Sequence, residues 1–150
     1  MNAEMDALLR RLQANVALFQ GLNQGEIIRF LALTSRAEVP PQHVVIHHNE
    51  TGHEAYVILS GGVEVLREGK RLAKLVAGDI FGELALLDNL PRSATVRTVG
   101  KCILLRFDRD DLAKIPELWP KMLRNLSITL ANRLRETDEL ISIWLNSRPQ

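Results

Sequence analysis

The sequence predicts an α+β, mainly β fold, in which a β-roll is flanked by N-terminal helices and a long C-terminal helix. Apolar residues recur at helical spacing at both ends of the chain, and from Ser35 to Phe107 short β-branched runs replace them, divided by turn residues. Size sets the bound: 150 residues, 46% hydrophobic and 25% charged, is the makeup of one ordinary globular domain. We divide that single domain into N-terminal helices (1–34), β-roll (35–107) and C-terminal helices (108–146).

Met5, Leu8, Leu9, Leu12, Val16 and Phe19 lie on one face of a helix over 4–19. Asn23 is placed to cap a second, short helix through Glu26 to Leu33, with Glu26 three residues on to complete a capping box. The strand-like runs are Val44–Ile46, Tyr56–Leu59, Val63–Leu66, Leu72–Val76, Thr95–Val99 and Ile103–Phe107. Pro40-Pro41, Asn49 to Gly52, Gly61-Gly62, Glu68-Gly69-Lys70 and Gly78-Asp79 supply the turns between them. Many short strands at this spacing make a sandwich or barrel. Beyond Phe107, Asp108 caps a short helix over Leu112 to Ile115. Pro116 closes it, and Pro120 suits the first turn of a helix reaching about Leu145.

Composition excludes several functions. A net charge of +1 gives no general attraction to nucleic acid or to an anionic membrane, and no apolar run is long enough for a membrane span. Met1-Asn2-Ala3-Glu4 lacks the regions of a signal peptide, and the single cysteine, Cys102, has no disulfide partner in the chain, so a cytoplasmic location is expected. Cys102 sits in an apolar strand and is expected to be buried and inert. His43, His47, His48 and His53 lack metal-ligand spacing, so no metal is expected. No nucleophile-elbow or serine–histidine–aspartate pattern argues for an enzyme.

The chemistry concentrates in Phe81 to Val96. Gly82 lets the backbone approach a ligand, and Glu83-Leu84-Ala85-Leu86 can form one helical turn whose free amides face an anion. A carboxylate there would repel phosphate, so Glu83 belongs with hydroxyls such as those of a ribose. Nine residues on, Arg92 can bring its forked guanidinium back onto the same phosphate, beside the small Ser93 and Ala94.

Phe81-Gly82-Glu83-Leu84-Ala85-Leu86 followed by Pro91-Arg92-Ser93-Ala94-Thr95-Val96 resembles the phosphate-binding cassette of cyclic-nucleotide-binding domains. This family includes the catabolite activator protein, regulatory subunits of cAMP-dependent kinase and cyclic-nucleotide-gated channels. Leu18 to Leu22 and Tyr56 to Val65 extend the resemblance, which covers roughly residues 16–145. It implies an eight-stranded jelly roll with a short phosphate-binding helix. It also implies a receptor for cAMP or cGMP that needs no cofactor. Glu83 would take the ribose 2′-hydroxyl, the amides of Gly82, Leu84, Ala85 and Ala94 would hold the phosphate, and Arg92 with Ser93 would complete it. Asn49 stands where the family usually has glycine in a tight turn, a left-handed position that asparagine tolerates. On the long helix, the resemblance carries base contacts to Thr137 and Asp138. Ser93 and Thr137 favour cAMP, whereas an acidic Asp138 facing the pocket would favour cGMP.

Leu123, Ser127, Leu130, Leu134, Thr137, Ile141 and Trp144 follow coiled-coil spacing and predict a homodimer through parallel helices, while Met122, Leu126 and Trp119 pack on the chain's own β-roll. No helix-turn-helix follows the long helix, so the expected output is a helix rearrangement signalled to a partner protein, without direct contact to nucleic acid. One competing reading keeps the β-roll as an interaction scaffold without nucleotide, with Glu83 and Arg92 as a surface ion pair. Another makes the chain the sensor part of a longer transcription regulator.

Overall fold

The first break in regular structure comes where the chain must turn to bury its side chains. The computed structural model describes residues 2–149, beginning with α1 (Ala3–Asn15), which Asn2 caps by accepting a hydrogen bond from the Met5 amide. Helical spacing predicts a helix continuing to Phe19, but Val16 is extended and a short 3-10 turn, Ala17–Phe19, follows it. The cause lies far away in sequence. The Ala17 amide donates to Gly78 O at 3.2 Å, and Gly78, at φ +96°, lies so close that a Cβ would stand 2.0 Å from Asn15 O. Turning there brings Val16, Leu18 and Phe19 into the core. In α2 (Gln24–Leu33) the predicted capping box forms, with Asn23 and Glu26 each bonding the other's amide.

Eight strands follow among the described residues: β1 (Ser35–Val39), β2 (Val44–Ile46), β3 (Glu54–Ser60), β4 (Gly62–Arg67), β5 (Lys70–Val76), β6 (Ile80–Phe81), β7 (Thr95–Thr98) and β8 (Cys102–Asp108). They form two antiparallel four-stranded sheets, ordered β1-β8-β3-β6 and β2-β7-β4-β5. Six of the strands coincide with the β-branched runs. The other two, charge-rich β1 and two-residue β6, have no such run. Ile46, Ile58, Val63, Phe81, Val96, Cys102 and Leu104 fill the space between the sheets, so the cysteine is buried as expected. A second apolar cluster lies under the helices, where Phe30 meets Phe19 and Phe107 edge-on at ring separations of 5.4 and 4.9 Å.

Asp108 and Asp111 form a second capping box at α3 (Arg109–Ala113), and Pro120 lies in the first turn of α4 (Trp119–Ser147). The first half of α4 packs on the domain: Met122 and Leu126 are buried, with Trp119 and Leu130 against the same cluster. Asn125 is buried with them, and its Nδ2 donates to Leu18 O at 2.8 Å and Gln20 O at 2.7 Å, pinning the helix to the turn after α1. The second half projects. Leu134, Ile141 and Trp144 are 63%, 50% and 55% exposed, whereas Leu130 of the same predicted seam belongs to the domain's own packing. No helix among the described residues is long and apolar enough to cross a membrane.

Replacing Asn125 by alanine leaves two carbonyls without their donor beneath α4. Asn125→Ala is expected to lower unfolding free energy by about 1–3 kcal/mol in urea titrations, with the fold retained.

Candidate functional site

A cavity of about 850 Å³ opens between the roll and the middle of α4. Gly82 begins its floor in the left-handed region, φ +72°, and a Cβ there would press on Ile46, on Arg92 Nη1 and on Glu54 O. The chain then makes the predicted single turn, Glu83–Leu86, as a 3-10 turn. Its first internal bond runs from the Ala85 amide to Gly82 O at 3.3 Å, so the amides of Glu83 and Leu84 precede it and are left unbonded by the turn. Ala94 lines the cavity, and its amide makes no backbone hydrogen bond among the described residues.

Arg92 reaches this floor from the far end of the cassette. Its backbone is fixed first: the Arg92 amide donates to Glu50 O and the Asn49 amide donates to Arg92 O, both at 2.9 Å. That pairing needs the tight turn at Asn49, which takes the expected left-handed conformation at φ +69°. The guanidinium is only 9% exposed. Nη1 donates to Gly82 O at 3.1 Å, and Nη2 donates to Glu54 O at 2.8 Å and Glu54 Oε2 at 3.4 Å. Of its five N–H groups these contacts take three, leaving two without an acceptor among the described residues. Gly52 covers one side of the group so closely that a Cβ would lie 2.6 Å from Nε and Nη2.

Glu54 is shared, since Arg106 also donates to its Oε1 at 2.9 Å. Burial alone would raise the Glu54 carboxyl, but its own backbone amide and the Arg106 charge outweigh that and hold its pKa below the ordinary carboxylate value. Two guanidiniums around one carboxylate leave a single positive charge at Arg92. Beside it Tyr56 stacks on Phe81 at 5.0 Å, and burial, then the nearby Glu54 charge, raises the phenol pKa.

Glu83 is also buried, at 7% exposure, but it does not pair with Arg92. Its Oε1 accepts from Arg133 Nη1 of α4, and Arg133 Nη2 donates to Ile80 O. This pairing balances a carboxylate that would otherwise repel phosphate.

The structure thus brings Gly82, Glu83, Leu84, Ala85, Arg92, Ser93, Ala94 and Thr137 to one cavity wall. Asp138 is the exception: it is exposed and does not line the cavity. The buried stripe of Met122 and Leu126 continues along α4 as Thr129, Arg133, Glu136, Thr137 and Leu140, and a helix residue turned about 100° from Thr137 leaves that stripe. Glu54 and Gly52 were not singled out from sequence, and Arg133 reads there only as a scattered basic pair with Arg135 on a solvated surface, whereas its side chain is 29% exposed and pairs with Glu83. A signal existed only for Arg133, one turn before Thr137 on the same face. His43, His47 and His53 are exposed and His48 half-buried, and no metal-binding cluster occurs among the described residues.

A family model described as cyclic nucleotide-binding domain matches residues 36–117. The cyclic AMP receptor protein of Thermus thermophilus is 33% identical over 126 residues, covering 81% of this chain and 58% of that protein. A CRP-like cAMP-activated global transcriptional regulator of Mycobacterium tuberculosis is 32% identical over 143 residues, covering 89% of this chain and 60% of that one. The chain therefore spans about three fifths of the length of these curated relatives. The crystal structure of the Thermus thermophilus catabolite activator protein superposes with a TM-score of 0.76 at 32% identity, over 85% of this chain and 62% of that one.

The depressed Glu54 pKa gives a pH signature. Since the carboxyl titrates lower in the folded state, its contribution to stability is present above the unfolded-state pKa, about 4.3, and is lost as pH falls through the folded value. Melting curves against pH should therefore show wild type losing its advantage over Glu54→Gln in acid, the two converging below that range.

Proposed function

The chain belongs to the cyclic-nucleotide-binding domain family, and from that premise we propose that it is a receptor for a 3′,5′-cyclic mononucleotide, cAMP favoured over cGMP. One observation carries the proposal: Glu83 and Arg92, each at least nine-tenths buried, face one cavity with the unbonded amides of Glu83 and Leu84 beside them. A buried guanidinium with two free N–H groups and one uncompensated positive charge suits a singly charged cyclic phosphodiester. Glu83, neutralised by Arg133, can accept from a ribose 2′-hydroxyl without repelling that phosphate. Ser93 on the rim and the Thr137 hydroxyl on α4 support adenine.

Binding and output share α4. A ribose hydroxyl at Glu83 changes what Arg133 must satisfy, and a ligand that favours one seating of α4 shifts the helix towards it. The function is regulatory and requires no cofactor or catalytic group of its own. The exposed apolar residues of distal α4 support a homodimer through parallel helices, with the signal passed on to a partner protein in the cytoplasm.

In competition assays with a fluorescent cyclic nucleotide, Arg92→Ala should cost at least about 2 kcal/mol of affinity for cAMP. Glu83→Ala should also weaken binding, and removing the ligand's 2′-hydroxyl should cost little more in that variant. Full affinity in Arg92→Ala would refute the proposal. Light scattering should report a dimer for wild type and a monomer for Leu134→Glu.

A further inference from the structure

Two charged side chains stand beside Arg92 without lining the cavity: Glu54 of β3 and Arg106 of β8. Strand register brings them together. Tyr56 lies opposite Arg106, so Glu54, two residues away on the same face of β3, is the diagonal neighbour of that arginine. Arg106 Nη2 donates to Glu54 Oε1 at 2.9 Å, whereas Arg92 Nη2 reaches Oε2 only at 3.4 Å and makes its shorter bond, 2.8 Å, to the Glu54 carbonyl. The carboxylate thus leans towards Arg106, and with a pKa below the ordinary value it stays charged near neutrality. Two cations and one anion around the phosphate end of the cavity leave a net charge of one, since Glu83 and Arg133 cancel each other. Phosphate esters differ in that same count. A cyclic diester carries one negative charge, and a 5′-monoester carries close to two at neutral pH, its second proton leaving near about pH 6. Each unit of local positive charge therefore favours the dianion about twice as much as the monoanion.

We propose that Glu54 and Arg106 are a positioning pair that sets the charge beside Arg92 at one unit and so selects singly charged cyclic phosphodiesters over doubly charged phosphomonoesters, an assignment that rests on the receptor reading of the cavity. Glu54 lowers the charge that two guanidiniums would present, which denies the dianion its advantage. Arg106 keeps that charge from falling to zero, which preserves the attraction for the monoanion. Both residues act through Arg92 and the field at the phosphate rather than by touching the nucleotide.

The test is competition of cAMP and of 5′-AMP against a fluorescent cyclic nucleotide, at low ionic strength, where such fields are least screened. The proteins are wild type, Arg106→Ala, Arg106→Lys, Glu54→Gln and the double variant Glu54→Gln/Arg106→Ala. Gln keeps the shape and an acceptor oxygen of Glu54, and Arg106 is half exposed, so unliganded melting temperatures check that each variant folds. Should Arg106→Ala not fold, Arg106→Gln removes the same charge. Arg106→Ala should weaken cAMP about threefold to tenfold, and 5′-AMP by more. Glu54→Gln should reduce the preference for cAMP over 5′-AMP by a similar factor, because 5′-AMP gains the more from a second unit of charge. The double variant returns the count to one and should return the wild-type preference, and Arg106→Lys should keep it. A merely structural role for these residues would make the double variant the weakest binder of the set. That result, or a preference that moves in neither single variant, would overturn the assignment while cAMP binding by wild type left the receptor reading standing. If wild type binds no cAMP, the receptor reading itself fails, and this assignment with it.

Discussion

A guanidinium buried to nine-tenths must be given oxygen partners, because an unpaired charge at that depth would cost several kilocalories per mole and expel the loop that carries it. At Arg92 those partners are Gly82 O and the carbonyl and carboxylate of Glu54, and much of the local architecture serves to deliver them. The left-handed turn at Asn49 aligns the backbone, Gly52 leaves room for the flat group, and the left-handed Gly82 turns its carbonyl inward. Arg106 keeps Glu54 from cancelling Arg92 completely. The protein's own oxygens thus hold the guanidinium in place, which would lower the ordering cost of the proposed phosphate contact.

The second ion pair has a different character. Glu83 and Arg133 come from different layers, one from the turn in the roll and the other from α4. Asn125 pins the start of α4, whereas its distal half is exposed and held to the roll largely through Arg133. A helix anchored at one end and latched at the cavity is the arrangement that the proposed coupling of binding to movement requires. The same distal half carries the apolar residues proposed to meet a second copy. In the proposed function, ligand, helix position and assembly therefore meet on one element.

How much of this the sequence disclosed follows from how local each feature is. The cassette was legible because Gly82, Glu83, Arg92 and Ser93 lie within a dozen residues and their chemistry points one way. Helix caps at Asn23 and Asp108 were legible for the same reason. β1 was hidden because Ser-Arg-Ala-Glu-Val is an edge strand, paired only with β8 and mostly exposed, so nothing demands a β-branched run. The end of α1 at Asn15 is set by Gly78, and the Arg92 partner Glu54 lies 38 residues away. Pairs separated by that much chain leave no local trace. Whether Asp138 faces the cavity was not legible: which side of α4 does so is decided by the burial of Met122, Asn125 and Leu126 three to four turns earlier, and that phase puts Glu136 and Thr137 on the wall.

The proposed receptor function requires that the buried charge at Arg92 capture a cyclic phosphodiester. The most direct measurement is a calorimetric titration of the wild-type protein with cAMP, run beside 5′-AMP, which carries the same base and sugar without the ring. The structure predicts saturable heat at one nucleotide per chain, with cAMP affinity in the micromolar range or tighter and 5′-AMP far weaker. The absence of any heat with cAMP at millimolar concentration would contradict it.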